Sequence, residues 1–239
     1  MLLGLNAFSA GLAIPVLGVS ISLASAFKRE CLAFLLTPAV TIGFLFSLLL
    51  LGISLAGFAG VWWNRFGIVK IHFFLTAVLV VMLLCFTLFG FAVTYRGGGK
   101  KLPGIAFRRY RFTDYSKWLQ RKLVGNGSHW QDIRSCVAKG SFCHNWNLGS
   151  AEEVYSAKLS STQSGCCAPP FPCGFAYQGG TNWRLPSTPD ADADCSVWNA
   201  NELCLDCDSC KAGILQNVKS KWYKASVVNI VVIAALLAI

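Results

Sequence analysis

Charge is what this chain has least of. Only 13% of its 239 residues are Asp, Glu, Lys or Arg, and Leu2–Ala26, Leu32–Val61 and Ala225–Ile239 carry none at all. With 54% hydrophobic residues and a mean hydropathy of +0.52, that scarcity excludes an ordinary soluble domain and marks a membrane protein. Acidic residues are scarcer still, 11 against 21 basic ones, and the net charge of +10 would suggest nucleic acid in a cytosolic protein. Here the apolar runs come first and leave only the middle of the chain free to be polar, so no nucleic-acid partner is expected. Catalytic motifs are also missing. His129 and His144 stand near Asp132 and several serines without a nucleophile motif or an HExxH-type spacing, so no catalytic, cofactor or metal site is expected. Charges deep in the runs are too few for a pore or carrier.

What is present begins with residues 2–26, a run long enough at about 1.5 Å per residue to cross a core of roughly 30 Å. A cleaved signal peptide would want a basic start and a shorter apolar region, and Met1-Leu2-Leu3 has no charge. Asn6 and Pro15 interrupt this first span, where a buried amide would face a neighbouring helix. A connection of five residues, 27–31, holds Lys28, Arg29 and Cys31. The second span, 32–61, carries Gly43, Gly52, Gly57 and Gly60, which either let another helix come close or reflect the frequency of glycine in membrane helices. Trp62, Trp63, Asn64 and Arg65 form a turn at headgroup level, and 66–93 is a third span with Lys70 and His72 in its first turns. Lys70 can snorkel to the interface, and His72 would be either an interface residue or a buried proton relay. The last apolar run, 225–239, covers only about 22 Å as a helix, so the fourth span looks cut short.

Residues 94–224 differ in character, with nine of the eleven cysteines, six of the eight tryptophans and 17 Lys and Arg against 10 Asp and Glu. A segment of this length crosses a membrane largely regardless of its charge, so cysteine density decides its side. Dense cysteines in a compact domain point to an oxidising exterior, where the sequon Asn126-Gly127-Ser128 would be glycosylated. The amino terminus and the 62–65 turn are then cytosolic.

Phe112, Tyr115, Leu119 and Leu123 fall at helical spacing, as do Ile214, Leu215, Val218 and Trp222 within Ala212–Tyr223. Two amphipathic stalk helices are expected from them. Arg108, Arg109, Arg111, Arg121 and Lys122 form a solvated basic face or a contact for lipid headgroups or an acidic partner. Cys204, Cys207 and Cys210 repeat a CxxC spacing that zinc sites use, but an exterior domain favours disulfides. Cys136, Cys143, Cys166, Cys167, Cys173, Cys195, Cys204, Cys207 and Cys210 make nine, and Cys31 on the same side would make ten. Cys136 and Cys143 are near enough in sequence to close a small loop. Adjacent Cys166 and Cys167 cannot easily bond each other, so each must reach a different partner. Behind them Pro169 and Pro170 fix φ and send the chain out extended.

Four apolar runs, a short first exterior loop, a long second one and the motif Gly165-Cys166-Cys167 within it resemble the tetraspanin family. The continuation Ala168-Pro169-Pro170, Cys173-Gly174-Phe175 and Leu203-Cys204 through Cys210-Gly213 is similar to its plant branch, whose motif is of the GCCKPP type. The resemblance implies an all-α integral membrane protein: a four-transmembrane-helix bundle with a large disulfide-stapled extracellular loop domain on two stalk helices. It implies a non-enzymatic scaffold that associates laterally with itself, with related proteins, with other membrane proteins and with membrane lipids, organising microdomains in the plasma membrane or endomembrane vesicles, in plant development or cell-surface signalling. The alternative is a receptor or adhesion module whose exterior domain binds a ligand. Family pairing would join Cys166 to Cys207 or Cys210, and Cys167 to Cys195. Residues 126–201 would be the variable head, with Trp183 and Trp198 either contact aromatics or local core. The family's cytosolic boundary cysteines are missing here, and Cys85 lies deep in the third span.

Overall fold

The computed structural model describes residues 11, 14, 16–18, 20–22, 24–25, 31–63, 66–140, 142–143, 150–170, 173–179, 182–184, 193–199 and 201–237. Expectations resting on Asn6, Pro15, Lys28, Arg29, Asn64, Arg65, His144 and the last two residues lie outside them. The chain divides into two compact units, Met1–Ala92 with Lys221–Ile239, and Val93–Ser220.

In the first unit the described residues of the first run are helical. Two long helices follow, α1 (Ala33–Trp62) and α2 (Phe66–Thr94), and the unit is completed by the later part of α8 (Asp208–Leu237). These three helices are long and apolar enough to cross a membrane. Ala225–Ile239 does not form a short helix of its own: its described residues continue a 30-residue helix that starts at Asp208.

Small residues set the packing. A Cβ on Gly43 would collide with Ser20, and one on Gly60 would stand 3.0 Å from Ile68 Cγ2, so α1 closes on the first run and on α2 at these points. His72 is buried, and its Nδ1 lies 2.9 Å from the Ile53 carbonyl, which ties α2 to α1 and satisfies the ring at that depth. Lys70 is exposed. Gly90 approaches Ser226, and Phe89 and Phe91 meet the Trp222 and Tyr223 rings at 6.4 and 6.3 Å between centroids, which joins α2 to α8. Leu50, Leu79, Leu83, Val232, Ile233 and Leu236 make the centre, with Val16 and Phe46 against it. Most other large apolar side chains of α1 and α2 point outward, as lipid-facing surfaces require.

The second unit is not purely helical. Two antiparallel ladders appear, β1 (Lys100–Lys101) with β2 (Arg108–Arg109), and β3 (Ala176–Gly179) with β4 (Asn182–Arg184). Between them lie α3 (Lys117–Leu119), α4 (Gly127–Lys139), α5 (Ala151–Ser156) and α6 (Ser161–Cys166), with α7 (Ala193–Val197) after β4.

The expected first stalk is broken. Phe112–Asp114 is a 3-10 turn, Tyr115 is extended, and α3 passes into a π-helical stretch, Gln120–Val124. Side-chain acceptors cut it: Ser116 Oγ takes the Leu119 N–H, and Asn126 Oδ1 takes the Ser128 N–H to start α4. Gln120 Nε2 donates to the Phe112 and Tyr115 carbonyls freed by the break. Most of the expected apolar positions are nonetheless core, whereas Phe112 and Trp222 are only half-buried. Tyr115, Leu119, Leu123, Ile133, Val137, Ile214, Leu215 and Val218 are all 4% exposed or less. The second stalk is the first part of α8, and Tyr115 Oη donates to Gln216 Oε1 on it at 3.0 Å. Burial raises the Tyr115 phenol well above its ordinary pKa, with Tyr110 and the Asp114 carboxylate adding to the effect, so it stays a donor.

Candidate functional site: the junction at Gly165-Cys166-Cys167

A capping box starts α6: Ser160 Oγ accepts from Gln163 N, and Gln163 Oε1 accepts from Ser160 N. The helix ends on the cysteine doublet, and residues 165–170 are buried throughout. Pro169 and Pro170 leave the helix in irregular, non-helical backbone, and the Pro170 carbonyl accepts from Cys173 N.

Against α6 lies the start of α8, and backbone meets backbone. A Cβ on Gly165 would overlap the Ser209 carbonyl, and one on Gly213 would overlap that of Ser161. Asn217 bridges the gap beyond the glycines, accepting from Ser161 Oγ at 2.6 Å and donating to Thr162 Oγ1 at 2.5 Å. Cys204 N donates to Cys166 O, and Ser209 Oγ to Gly165 O. The first turn of α8 is capped from a distance: Asp194 accepts from Asp208 N at 2.7 Å and Ser209 N at 2.9 Å, stabilising the helix by about 1 kcal/mol.

The doublet's two bonds go to different partners. Cys166 is bonded to Cys210 across the helix crossing, with Cα atoms 4.2 Å apart, and Cys167 to Cys143. Cys173 bonds Cys195, and Cys204 bonds Cys207. The expected Cys167–Cys195 and Cys136–Cys143 pairings are therefore corrected. Cys167 packs with Cys143, Val154 and Ala168, in a different cluster from Cys195, which packs with Cys173, Phe175 and Trp198. Cys31 and Cys136 are also disulfide-bonded, and Cys85 is an exposed thiol. The Cys204-Leu205-Asp206-Cys207 pair is a closed bridge, so it presents no thiolates to a metal.

Trp198 is 7% exposed and packs against Phe175 with ring centroids 4.6 Å apart and planes tilted by 52°, which makes it core. Trp183 is half-buried against Tyr177 and Tyr155. The basic residues divide: Arg121 and Lys122 are exposed on the π-helical stretch, whereas Arg108, Arg109 and Arg111 line a cleft beside Pro169 and Pro170. Sequence reading missed Asp194 and Asn217, since neither carries a local motif and each acts on a residue far along the chain.

The tetraspanin family model matches residues 1–239. The chain is 37% identical over 241 residues to Tetraspanin-7 of Arabidopsis thaliana, covering 98% of this chain and 90% of that protein. It is 36% identical over 235 residues to Tetraspanin-8 (95% and 84% covered) and 35% identical over 239 residues to Protein TORNADO 2 (98% and 87% covered), both of Arabidopsis thaliana. No solved structure matches. A buried Gly-Cys-Cys junction, helices long enough to span a membrane and these relationships agree: the chain belongs to the tetraspanin family, in its plant-type branch, whose members are integral membrane scaffolds and not enzymes.

Proposed function

We propose that the chain gathers partner membrane proteins, related proteins and copies of itself into lateral assemblies, with the Val93–Ser220 unit on the extracellular or lumenal side. The observation that carries the lateral reading is the unequal use of glycine on α1. Gly43 and Gly60 face packed neighbours within the unit, whereas Gly52 is exposed, has nothing within 4 Å of where its Cβ would be, and sits among outward Leu48, Leu49, Leu51 and Leu55. A small residue on a lipid-facing apolar surface lets a second helix approach closely. Gly52→Leu is expected to leave the fold intact and to reduce co-purification of partner membrane proteins in mild detergent several-fold. Undiminished co-purification would remove the α1 face from the proposal.

Support for the side comes from five disulfides' worth of oxidised cysteines and from the sequon. Asn126 and Ser128 are exposed, and the helix cap uses Asn126 Oδ1, which leaves the amide nitrogen open to a glycan. Glycosidase treatment should increase the gel mobility of the wild-type chain and leave Asn126→Gln unchanged. An unmodified Asn126 in a chain that has passed through the secretory pathway would count against the assignment.

A further inference from the structure

The second unit contains a cleft of 670 Å³ whose walls come from β2 and the residues after it, from the Gly165–Pro170 junction, and from Phe175 and Trp183. That volume falls within the roughly 300–1,000 Å³ of sites for small organic molecules. Three arginines and two aspartates line it, and the aspartates are already engaged. Of the acidic residues at its edge, Asp194 has both carboxylate oxygens taken by the Asp208 and Ser209 N–H groups, and Asp208 faces Lys211 at 3.0 Å. On the other wall Arg108 donates to the Gly98 carbonyl and retains further N–H donors, and the Arg111 guanidinium has no hydrogen-bond or ion-pair partner among the described residues. Arginine presents a planar fork matched to carboxylate-like groups, and aromatic walls suit a flat apolar body. The Trp183 indole N–H, buried and without a partner among the described residues, belongs to the same wall.

We propose that this cleft binds a small organic anion, with a carboxylate, sulfonate or phosphate group held by Arg108 and Arg111 and a flat apolar body lying against Phe175 and Trp183. The inference is independent of lateral assembly: each could hold with the other absent. It is tested with the full chain in phosphatidylcholine nanodiscs, using naphthalene-2-carboxylate as the probe and the neutral naphthalene-2-carboxamide as its isostere, with empty nanodiscs as blank. Saturation-transfer NMR titrations are expected to show saturable binding of the carboxylate and about tenfold weaker binding of the amide. Arg111→Gln should weaken the carboxylate about tenfold, whereas Arg121→Gln, outside the cleft, should leave it unchanged. Arg111 is exposed, so its replacement does not threaten the fold, and peptide mapping of the Cys166–Cys210 bridge checks this. Equal affinity for acid and amide, no saturable binding, no effect of Arg111→Gln, or an equal loss in Arg121→Gln would each overturn the proposal.

Discussion

Replacing Cys166 and Cys210 together by alanine is expected to lower the melting temperature of the Val93–Ser220 unit by roughly 10 °C or more. The bridge spans a sequence separation of 44 residues, and loop-closure entropy for such a loop is worth about 4 kcal/mol. The Cys173–Cys195 bridge lies inside that loop and shortcuts 22 residues of it, which brings the contribution down to about 3 kcal/mol. Cys204–Cys207 spans only 3 residues, so the Cys204→Ala/Cys207→Ala pair should cost about half as much. Alanine is the better replacement, because the sulfurs are almost fully buried and a serine hydroxyl there would lack a partner. If both double variants melted at the same temperature, the staple across α6 and α8 would not be the main cross-link of the unit.

Gly213→Val should be equally damaging without touching a cysteine. Its new side chain would enter the space of the Ser161 carbonyl, and a backbone oxygen in a helix cannot turn aside as a side chain can. α6 and α8 must separate, and with them go the Asn217 bonds to Ser161 and Thr162, each worth about 1 kcal/mol. A total loss of about 3 kcal/mol is expected, along with a fall in the fraction of chains carrying the Cys166–Cys210 bond, read by non-reducing peptide mapping. Gly127→Ala is the control, since nothing lies within 4 Å of its Cβ position, and it should change stability by less than about 1 kcal/mol. Normal bridge formation in Gly213→Val would mean that the crossing tolerates a wider spacing than its glycines suggest.

The contrast between these sites and the stalks shows what a linear reading can reach. Leu119 and Leu123 were legible as buried because their spacing and character require an apolar environment, and they are buried. That they do not share one unbroken helix was not legible. Ser116 and Asn126 are weak signals alone, and they prevailed because Gln120, several residues away, could satisfy the carbonyls that the break exposed. The arginines of residues 108–111 read as a solvated face, because nothing local places Pro169, Phe175 and Trp183 opposite them.

The sequence by itself determined the membrane class, the cysteine-rich unit between apolar runs, and the need for Cys166 and Cys167 to find separate partners, because composition, run length and the geometry of adjacent cysteines are local properties. Only the tertiary structure decided that the partners are Cys210 and Cys143, that Asp194 caps α8, and that Gly165 and Gly213 admit the helix crossing. A disulfide forms where folding brings two Cα atoms within about 6 Å, and that distance depends on how helices far apart in sequence pack, which no spacing along the chain records.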